Sequence, residues 1–251
     1  MPDRGDLSLV HTEGLAAGYG AAPVLTDVSF ALHAGERMGV LGPNGGGKTT
    51  LFRVLLGELA PMAGTLTAPA RFAVVPQTER SRLDFPVSAL DVALMGSIST
   101  LPWWRRPGRA QRRAARAALA AVGLAEQANA TFGDLSGGQR QRVLVARALV
   151  QDARVILLDE PFTGLDAPNA HRLEALLAEL AAEGRGVMIA THDVDQARGW
   201  DSVLCLNGRQ VAFGPPEDTL HRAVLEATYA GEIVELPGGE LRAVVPPHHH
   251  H

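Results

Sequence analysis

The chain has 251 residues, a formal net charge of −4 at neutral pH and a single cysteine, Cys205. This length allows one or two domains with a substantial core. One cysteine excludes an intrachain disulfide and favours a reducing compartment. No uncharged apolar run reaches the ~18 residues that a membrane-spanning helix needs, and the polar N-terminus is unlike a secretory signal. The negative charge gives no case for a nucleic-acid partner, and we expect none. The four histidines at 248–251 are typical of a purification tag.

The basic residues are unevenly divided between two types. Of the 23 lysines and arginines, 22 are arginine, and the only lysine is Lys48. In a chain that uses arginine almost everywhere, a remaining lysine indicates a position that needs a compact ammonium group and not a planar guanidinium.

The surroundings of Lys48 predict a phosphate-binding loop. The segment 38–51 reads MGVLGPNGGGKTTL and fits the P-loop pattern, with an apolar strand (38–41) before it and a helical segment (49–56) after it. Glycines let successive N–H groups point at phosphate oxygens, and the helix start adds a positive dipole. We expect Lys48 to bridge the β- and γ-phosphates of ATP and the Thr49 hydroxyl to ligate Mg²⁺. The residues expected to contact the nucleotide here are Gly42, Pro43, Asn44, Gly45, Gly46, Gly47, Lys48, Thr49 and Thr50.

A second motif places two carboxylates after an apolar run. The sequence RVILLDEP begins at Arg154 and reads as a buried parallel strand that ends in Asp159 and Glu160. Ligands of open α/β sheets bind at this end of the strands. We expect Asp159 to hold Mg²⁺ through water and Glu160 to orient and deprotonate an attacking water.

A third motif, LSGGQRQR at 135–142, is the most specific. Ser136 and Gln139 also have the spacing of a capping box at a helix start. With the preceding motifs, this segment resembles the ATP-binding subunits of ABC transporters, whose defining signature is LSGGQ. The resemblance extends from Leu7 to about Leu236, and the motifs come in the family's order.

The resemblance implies roles for further residues. Tyr19 matches the aromatic residue that stacks on adenine, Gln77 the Q-loop glutamine, and His192 the switch histidine. The segment TGLD at 163–166 matches the D-loop, which adds Asp166 to the nucleotide-contacting residues. Gln77 is also expected to act as a ligand of Mg²⁺. The implied catalytic set is Glu160, His192, Gln77 and Lys48.

The resemblance also implies a second copy of the chain. In the family, Ser136 and its neighbours Gly137, Gly138 and Gln139 face a nucleotide held by the other subunit. The implied assembly is a head-to-tail homodimer with two ATP molecules between phosphate loop and signature.

The implied fold class is α/β: a single P-loop ABC-type nucleotide-binding domain over 7–247, with a mixed sheet core and an inserted helical subdomain. The predicted divisions are a core (7–76 and 150–220), a helical subdomain (78–148) and a C-terminal appendage (221–247). Local patterns predict a β-hairpin around Asn207-Gly208 and a buried Cys205. They also predict a helix that faces the core with Leu173, Leu176, Leu177 and Leu180.

Two segments narrow the range of substrates that such a transporter would carry. Residues 84–96 and 228–234 are similar to segments of ATPases that serve manganese, zinc and iron importers. This implies a peripheral subunit at the cytoplasmic face of the cell membrane, bound to integral membrane permease subunits and acting indirectly with an extracytoplasmic substrate-binding protein. An ATPase for another cargo (iron chelate, vitamin or phosphonate), an exporter, and a non-transport ABC ATPase stay open as alternatives. The last usually has a second ATPase domain or a long coiled-coil insertion, and this sequence shows neither.

One basic stripe belongs to none of these motifs. Trp103 and Trp104 precede two arginines, and four more arginines then follow at helical spacing: Arg109, Arg112, Arg113 and Arg116. The stripe predicts a solvated helix face, or alternatively a surface near anionic lipid headgroups or the permease.

Overall fold

The computed structural model describes residues 8–69, 71–76, 86–98, 101–102, 104–229, 233–235 and 241–243. The chain forms two compact units, the first made of residues 1–70 and 188–251 and the second of residues 71–187. Gln77, Trp103 and the histidines at 248–251 lie outside the described residues. Within the described part, every helix is too short or too polar to cross a membrane.

The first unit contains an antiparallel three-stranded sheet. Its central strand, β1 (Ser8–Ala17), pairs with β2 (Leu25–His33) on one side and β4 (Ala63–Thr67) on the other. Every second residue of β2 from Val28 to Leu32 is buried, as expected for a strand with one face on the core. The turn between β1 and β2 carries Tyr19.

Other strands of the first unit have mixed directions. Strand β3 (Arg37–Leu41) is parallel to β8 (Ser202–Leu206), and β8 is antiparallel to β9 (Gln210–Gly214). The predicted hairpin is thus confirmed, with Asn207 and Gly208 in its turn. All five residues of β8 are buried, which confirms the buried Cys205. The phosphate loop leaves the carboxyl end of β3 and enters α1 (Lys48–Leu55).

The remaining elements of the first unit follow the second unit in the sequence. Strand β7 (Gly186–Thr191) is buried along its length; it starts in the second unit and ends in the first. The short elements after it are α6 (Val194–Ala197), α7 (Pro216–Thr219), α8 (Arg222–Tyr229) and the antiparallel pair β10 (Ile233–Glu235) and β11 (Leu241–Ala243).

The second unit combines a parallel strand pair with helices. Strand β5 (Phe72–Val75) pairs in parallel with β6 (Val155–Asp159). Three helices pack against one another: α2 (Ala89–Met95), α3 (Arg109–Ala121) and α4 (Gly137–Val150). A 3-10 turn (Phe132–Asp134) precedes α4, and α5 (Ala167–Ala182) follows β6. The second unit therefore includes two strands and α5 besides the segment 78–148 predicted as a helical subdomain.

Helix α5 illustrates how local sequence sets an element. Asp166 caps it by accepting a hydrogen bond from the Asn169 N–H at 3.0 Å, and Pro168 stands in its first turn. The predicted core face is confirmed, because its four leucines are at most 9 % exposed: Leu173, Leu176, Leu177 and Leu180. The α/β class and the mixed strand directions are likewise as predicted.

Candidate nucleotide-binding site

The phosphate loop depends on glycine at both of its ends. A Cβ atom on Gly42 would lie 2.1 Å from the carbonyl oxygen of Leu206, so no larger residue fits there. Gly47 has φ 101° as the N-cap of α1, a left-handed conformation that favours glycine. The backbone therefore turns tightly before the helix, as a phosphate-binding loop requires.

Backbone hydrogen bonds brace this loop. The Gly46 N–H donates to the carbonyl of Pro43 at 3.0 Å, and the Gly208 N–H donates to the carbonyl of Gly46 at 3.1 Å. The Thr26 N–H in turn donates to the Gly208 carbonyl at 3.0 Å. The β8–β9 turn thus stabilises the phosphate loop through a backbone hydrogen bond.

Lys48 lies within the loop and is 8 % exposed. Its Nζ donates to the carbonyl oxygen of Gly42 at 2.5 Å and to that of Pro43 at 3.2 Å. The ammonium group therefore sits among the loop's own carbonyls. Of the next two predicted contacts, Thr49 is half-buried and Thr50 is buried.

Tyr19 is 51 % exposed and contacts α1 through Arg53. Arg53 Nη1 donates to the Tyr19 hydroxyl at 3.0 Å, and its guanidinium carbon lies 5.6 Å from the centroid of the tyrosine ring. Since Arg53 follows Lys48 by five residues on the same helix, the ring is tied to the element that begins at the phosphate loop. Sequence reasoning missed Arg53, and no local pattern indicates its partner.

His192 is the first exposed residue after the six buried residues of β7. Directly after it, Asp193 caps α6 by accepting hydrogen bonds from the N–H groups of Asp195 and Gln196. The imidazole is therefore carried by a short linker between a buried strand and a capped helical turn.

The second unit holds the two predicted carboxylates. Asp159 ends β6 and Glu160 follows it, and both side chains are half-buried. Glu160 has φ 51°, a left-handed conformation that is uncommon for a residue with a side chain. The Thr163 hydroxyl lies 3.5 Å from Glu160 Oε2, and the Thr163 N–H donates to the Glu160 carbonyl at 3.3 Å. A strained conformation at such a position favours a functional role.

The signature forms the predicted capping box. Ser136 Oγ accepts a hydrogen bond from the Gln139 N–H at 3.2 Å, and the Ser136 N–H donates to Gln139 Oε1 at 2.9 Å. Ser136 and Gly137 are exposed at the start of α4. An open helix start with small residues suits an anion.

The two signature glycines differ in their surroundings. A Cβ atom on Gly138 would lie 3.0 Å from Leu165 Cδ2, so the backbone of α4 packs closely on the D-loop. A Cβ atom on Gly137 would meet no described atom within 4 Å. Packing within the described chain therefore explains a glycine at 138 but not at 137.

Arg142 of the signature helix α4 is a buried cation, 8 % exposed. Its Nη1 donates to the carbonyl of Val122 at 3.0 Å. Burial lowers the pKa of Arg142, the charge of Arg172 lowers it further, and the carboxylate of Asp166 opposes both. The D-loop aspartate thus both caps α5 and interacts with the signature helix.

In the first unit, the structure brings the phosphate loop, Lys48 and the Tyr19–Arg53 pair to α1. In the second unit it brings the signature and D-loop together, with Glu160 at the end of β6. A glycine-rich loop around a buried lysine, continuous with a strand and a helix, is the hallmark of a P-loop nucleotide-binding domain.

Comparison with known proteins identifies the kind of P-loop domain. Residues 25–163, more than half of the chain, match the family described as ABC transporter. The chain belongs to the ABC transporter family. It is the ATP-hydrolysing subunit of a transporter.

Two relatives and one solved structure match nearly the whole chain. The manganese transport system ATP-binding protein MntB of Bacillus subtilis is 38% identical over 236 residues, which cover 90% of this chain and 94% of the relative. The zinc transport system ATP-binding protein TroB of Treponema pallidum is 36% identical, over 89% of this chain and 88% of the relative. A metal-chelate type ABC transporter in an inward-facing conformation has a TM-score of 0.82 and 32% identity, and the match covers 89% of each chain.

Proposed function

We propose that this chain hydrolyses ATP to power the import of a divalent metal ion, manganese, zinc or iron, through a membrane permease. The single observation that carries the proposal is the near full-length similarity to the manganese-transport relative, supported by the zinc-transport relative. In this proposal the chain is peripheral at the cytoplasmic face of the membrane. It contacts integral permease subunits directly and an extracytoplasmic substrate-binding protein only through them.

ATP binding begins at the phosphate loop. The Lys48 ammonium exchanges the carbonyls of Gly42 and Pro43 for phosphate oxygens, a stronger charge-assisted interaction. Backbone N–H groups of the loop bind the same phosphates. The exposed face of Tyr19, held by Arg53, receives the adenine.

Hydrolysis of ATP needs a general base for the attacking water and a group that contacts the γ-phosphate. Glu160 orients and deprotonates the attacking water, and its left-handed backbone conformation sets the direction in which its side chain leaves the chain. His192 contacts the γ-phosphate and this water. Gln77 connects the nucleotide to the segment that meets the permease.

Magnesium fits the chemistry of the predicted ligands. The Thr49 hydroxyl, the Asp159 carboxylate and the Gln77 amide all offer oxygen, the donor that Mg²⁺ prefers. When bound, Mg²⁺ neutralises charge on the β- and γ-phosphates. Thr49 and Asp159 are both half-buried.

The active assembly in this proposal is a head-to-tail homodimer. Ser136 and Gly137 are exposed, so the signature of one copy is open to the γ-phosphate held by another. Glu160→Gln keeps the size of the side chain but removes the base, which slows hydrolysis roughly 10²–10⁴-fold. Unhydrolysed ATP should then hold two copies together.

Light scattering after size exclusion, with and without ATP, tests the dimer. We expect Glu160→Gln to dimerise only with ATP, and Glu160→Gln/Ser136→Arg to stay monomeric while still binding ATP. A double variant that dimerises as readily as Glu160→Gln would remove the signature from the interface.

Transport is tested with the chain and a candidate permease from the same genome, purified together and reconstituted in vesicles. We expect ATP-dependent uptake of manganese, zinc or ferrous ion, and none with Glu160→Gln in place of the parent chain. Uptake of none of these ions by a complex that hydrolyses ATP would refute the proposed cargo.

The second candidate cargo is a metal chelate, because the similar solved structure is described as metal-chelate type. The same vesicles distinguish the two. Uptake of a ferric chelate without uptake of the free ions would favour the chelate.

A further inference from the structure

The segment that connects α2 to α4 has a charge opposite to that of the whole chain. Between Asp91 and Glu126 there are six arginines and no acidic residue, whereas the chain carries a net charge of −4. All six side chains are exposed. They form what we call the basic segment: Arg105, Arg106, Arg109, Arg112, Arg113 and Arg116.

Four of these arginines share one face of α3. At 100° per residue, Arg109, Arg112, Arg113 and Arg116 fall within an arc of about 100°. The helix buries Ala115, Ala118 and Leu119 instead. Its apolar face therefore packs on the unit, and a continuous guanidinium stripe remains outside.

This arrangement does not stabilise the helix. Like charges three and four residues apart repel each other, and positive side chains in the first turn oppose the helix dipole. Among the described residues, none of the six guanidinium groups has a carboxylate within ion-pair distance. The charge is thus available to an anion from outside the chain.

Exposed apolar side chains lie directly before the basic segment. Of the five large hydrophobic residues exposed in the described part of the chain, three fall within ten residues: Met95, Ile98 and Trp104. Trp104 is 71 % exposed and precedes Arg105. Tryptophan beside a basic helix face is the composition of segments that lie at a membrane–water interface.

We propose that the basic segment and Trp104 bind anionic phospholipid headgroups on the membrane surface, without help from a permease. Guanidinium groups match phosphate with paired hydrogen bonds, and a row of them suits a surface with many phosphates. The neighbouring indole of Trp104 suits the headgroup region of a membrane. An acidic protein loop would match the arginines but would not explain the exposed tryptophan beside them. The proposal goes beyond ATP hydrolysis and metal import, since neither is needed for this binding.

Co-sedimentation of the purified chain with vesicles tests the proposal. The vesicles contain equal parts phosphatidylglycerol and phosphatidylcholine, or phosphatidylcholine alone. We expect binding only to the anionic vesicles, with weakening as salt rises. Changing Arg109, Arg112, Arg113 and Arg116 to Gln should weaken this binding by about tenfold or more, and Trp104→Ala should weaken it less.

A matched control separates the stripe from net charge. The four exposed arginines Arg71, Arg154, Arg198 and Arg209, changed to Gln, give the same net charge but leave the basic segment intact. We expect this control to bind like the parent, and the stripe changed to four lysines to keep most of the binding. Unchanged melting temperature and ATP binding show that each variant is folded.

Several outcomes would overturn the proposal: no binding to anionic vesicles, equal loss in the stripe variant and the control, or parent-like binding by the stripe variant. A stripe variant that binds vesicles normally but fails to copurify with the permease would assign the stripe to a protein contact. Because these vesicles hold no permease, failure here leaves the proposed transport function untouched.

Discussion

The guanidinium of Arg53 donates a 3.0 Å hydrogen bond to the hydroxyl of Tyr19, and its carbon lies 5.6 Å from the tyrosine ring centroid. Both contacts restrain the orientation of an exposed aromatic ring. If adenine stacks on this ring as proposed, part of the ordering cost should be absent when ATP binds.

Tyr19→Ala should raise the KM for ATP about tenfold, since stacking contributes on the order of 1 kcal/mol. Arg53→Ala and Tyr19→Phe each remove the hydrogen bond but keep the ring, so each should raise KM less than about threefold. Steady-state ATPase assays with the double variant Arg53→Ala/Tyr19→Phe complete the cycle. Additive effects in the double variant would mean that the two residues act independently.

The substitution Lys48→Arg tests why the only lysine of the chain lies in the phosphate loop. The Nζ atom contacts two loop carbonyls from an 8 % exposed position, and we expect a planar guanidinium to be too wide for this space. We expect Lys48→Arg to lose ATP hydrolysis by about 10²-fold or more, because the charge no longer reaches the phosphates. ATPase activity near the parent level would show that any cation suffices.

Glu160→Gly tests the backbone at the proposed base. Glu160 adopts φ 51°, which glycine accepts without strain. The substitution should leave the free energy of unfolding unchanged or raise it by about 1 kcal/mol, while hydrolysis is lost. As a control, Glu179→Gly on the exposed face of α5 should cost about 1 kcal/mol. Urea unfolding measures both, and equal destabilisation would mean that the left-handed conformation carries no strain.

The two signature glycines should respond differently to alanine. Gly137→Ala meets no described atom within 4 Å, so the melting temperature should be kept or slightly raised. ATP hydrolysis should nevertheless fall about tenfold or more, because in the proposed dimer the added methyl group meets the phosphate held by the other copy. Gly138→Ala must displace Leu165 and should lower stability by about 1 kcal/mol. Parent-like hydrolysis by Gly137→Ala would argue against an opposing ligand.

The buried Cys205 makes the free energy of unfolding depend on pH in the alkaline range. Burial raises the pKa of this thiol from 9.0 to about 11, and a hydrogen bond with Thr228 partly opposes the shift. A raised pKa means that the folded state keeps the proton after the unfolded state has lost it. Stability is therefore complete below pH about 9 and falls by about 2–3 kcal/mol as the pH approaches 11.

Urea unfolding across this pH range, compared with Cys205→Ala, isolates the thiol from other titrating groups. We expect the alkaline loss to be smaller in Cys205→Ala, although its stability at neutral pH is lower because a cavity remains. Parallel curves for the two proteins would assign the loss to other residues.

Short-range patterns predicted their structures well. The capping box of Ser136 and Gln139, the turn at Asn207 and the buried leucine face of α5 each depend on neighbours within a few residues. The phosphate loop was equally predictable, because its glycines and Lys48 form one continuous motif.

Features set by distant chain segments were not predictable. Arg53 meets Tyr19 only after the β1–β2 turn folds onto α1, and Gly42 is crowded by the carbonyl of Leu206 from a strand far along the chain. The left-handed backbone of Glu160 depends on the turn that follows β6. The roles of the predicted site residues in ATP binding and hydrolysis stay predictions, and Gln77 in addition lies outside the described part of the chain.

Because Lys48 is the only lysine in the chain and is buried, proteolysis at this residue reports on the folding of the phosphate loop. A protease that cleaves only after lysine has one target in this chain, the bond between Lys48 and Thr49 at the start of α1. That bond is protected while the helix start is folded, so the rate of cleavage measures how often this part of the molecule opens. If ATP binds at this loop as proposed, it should protect the same bond. A digestion time course read as two fragments on a gel would then measure the fraction of occupied sites without any label.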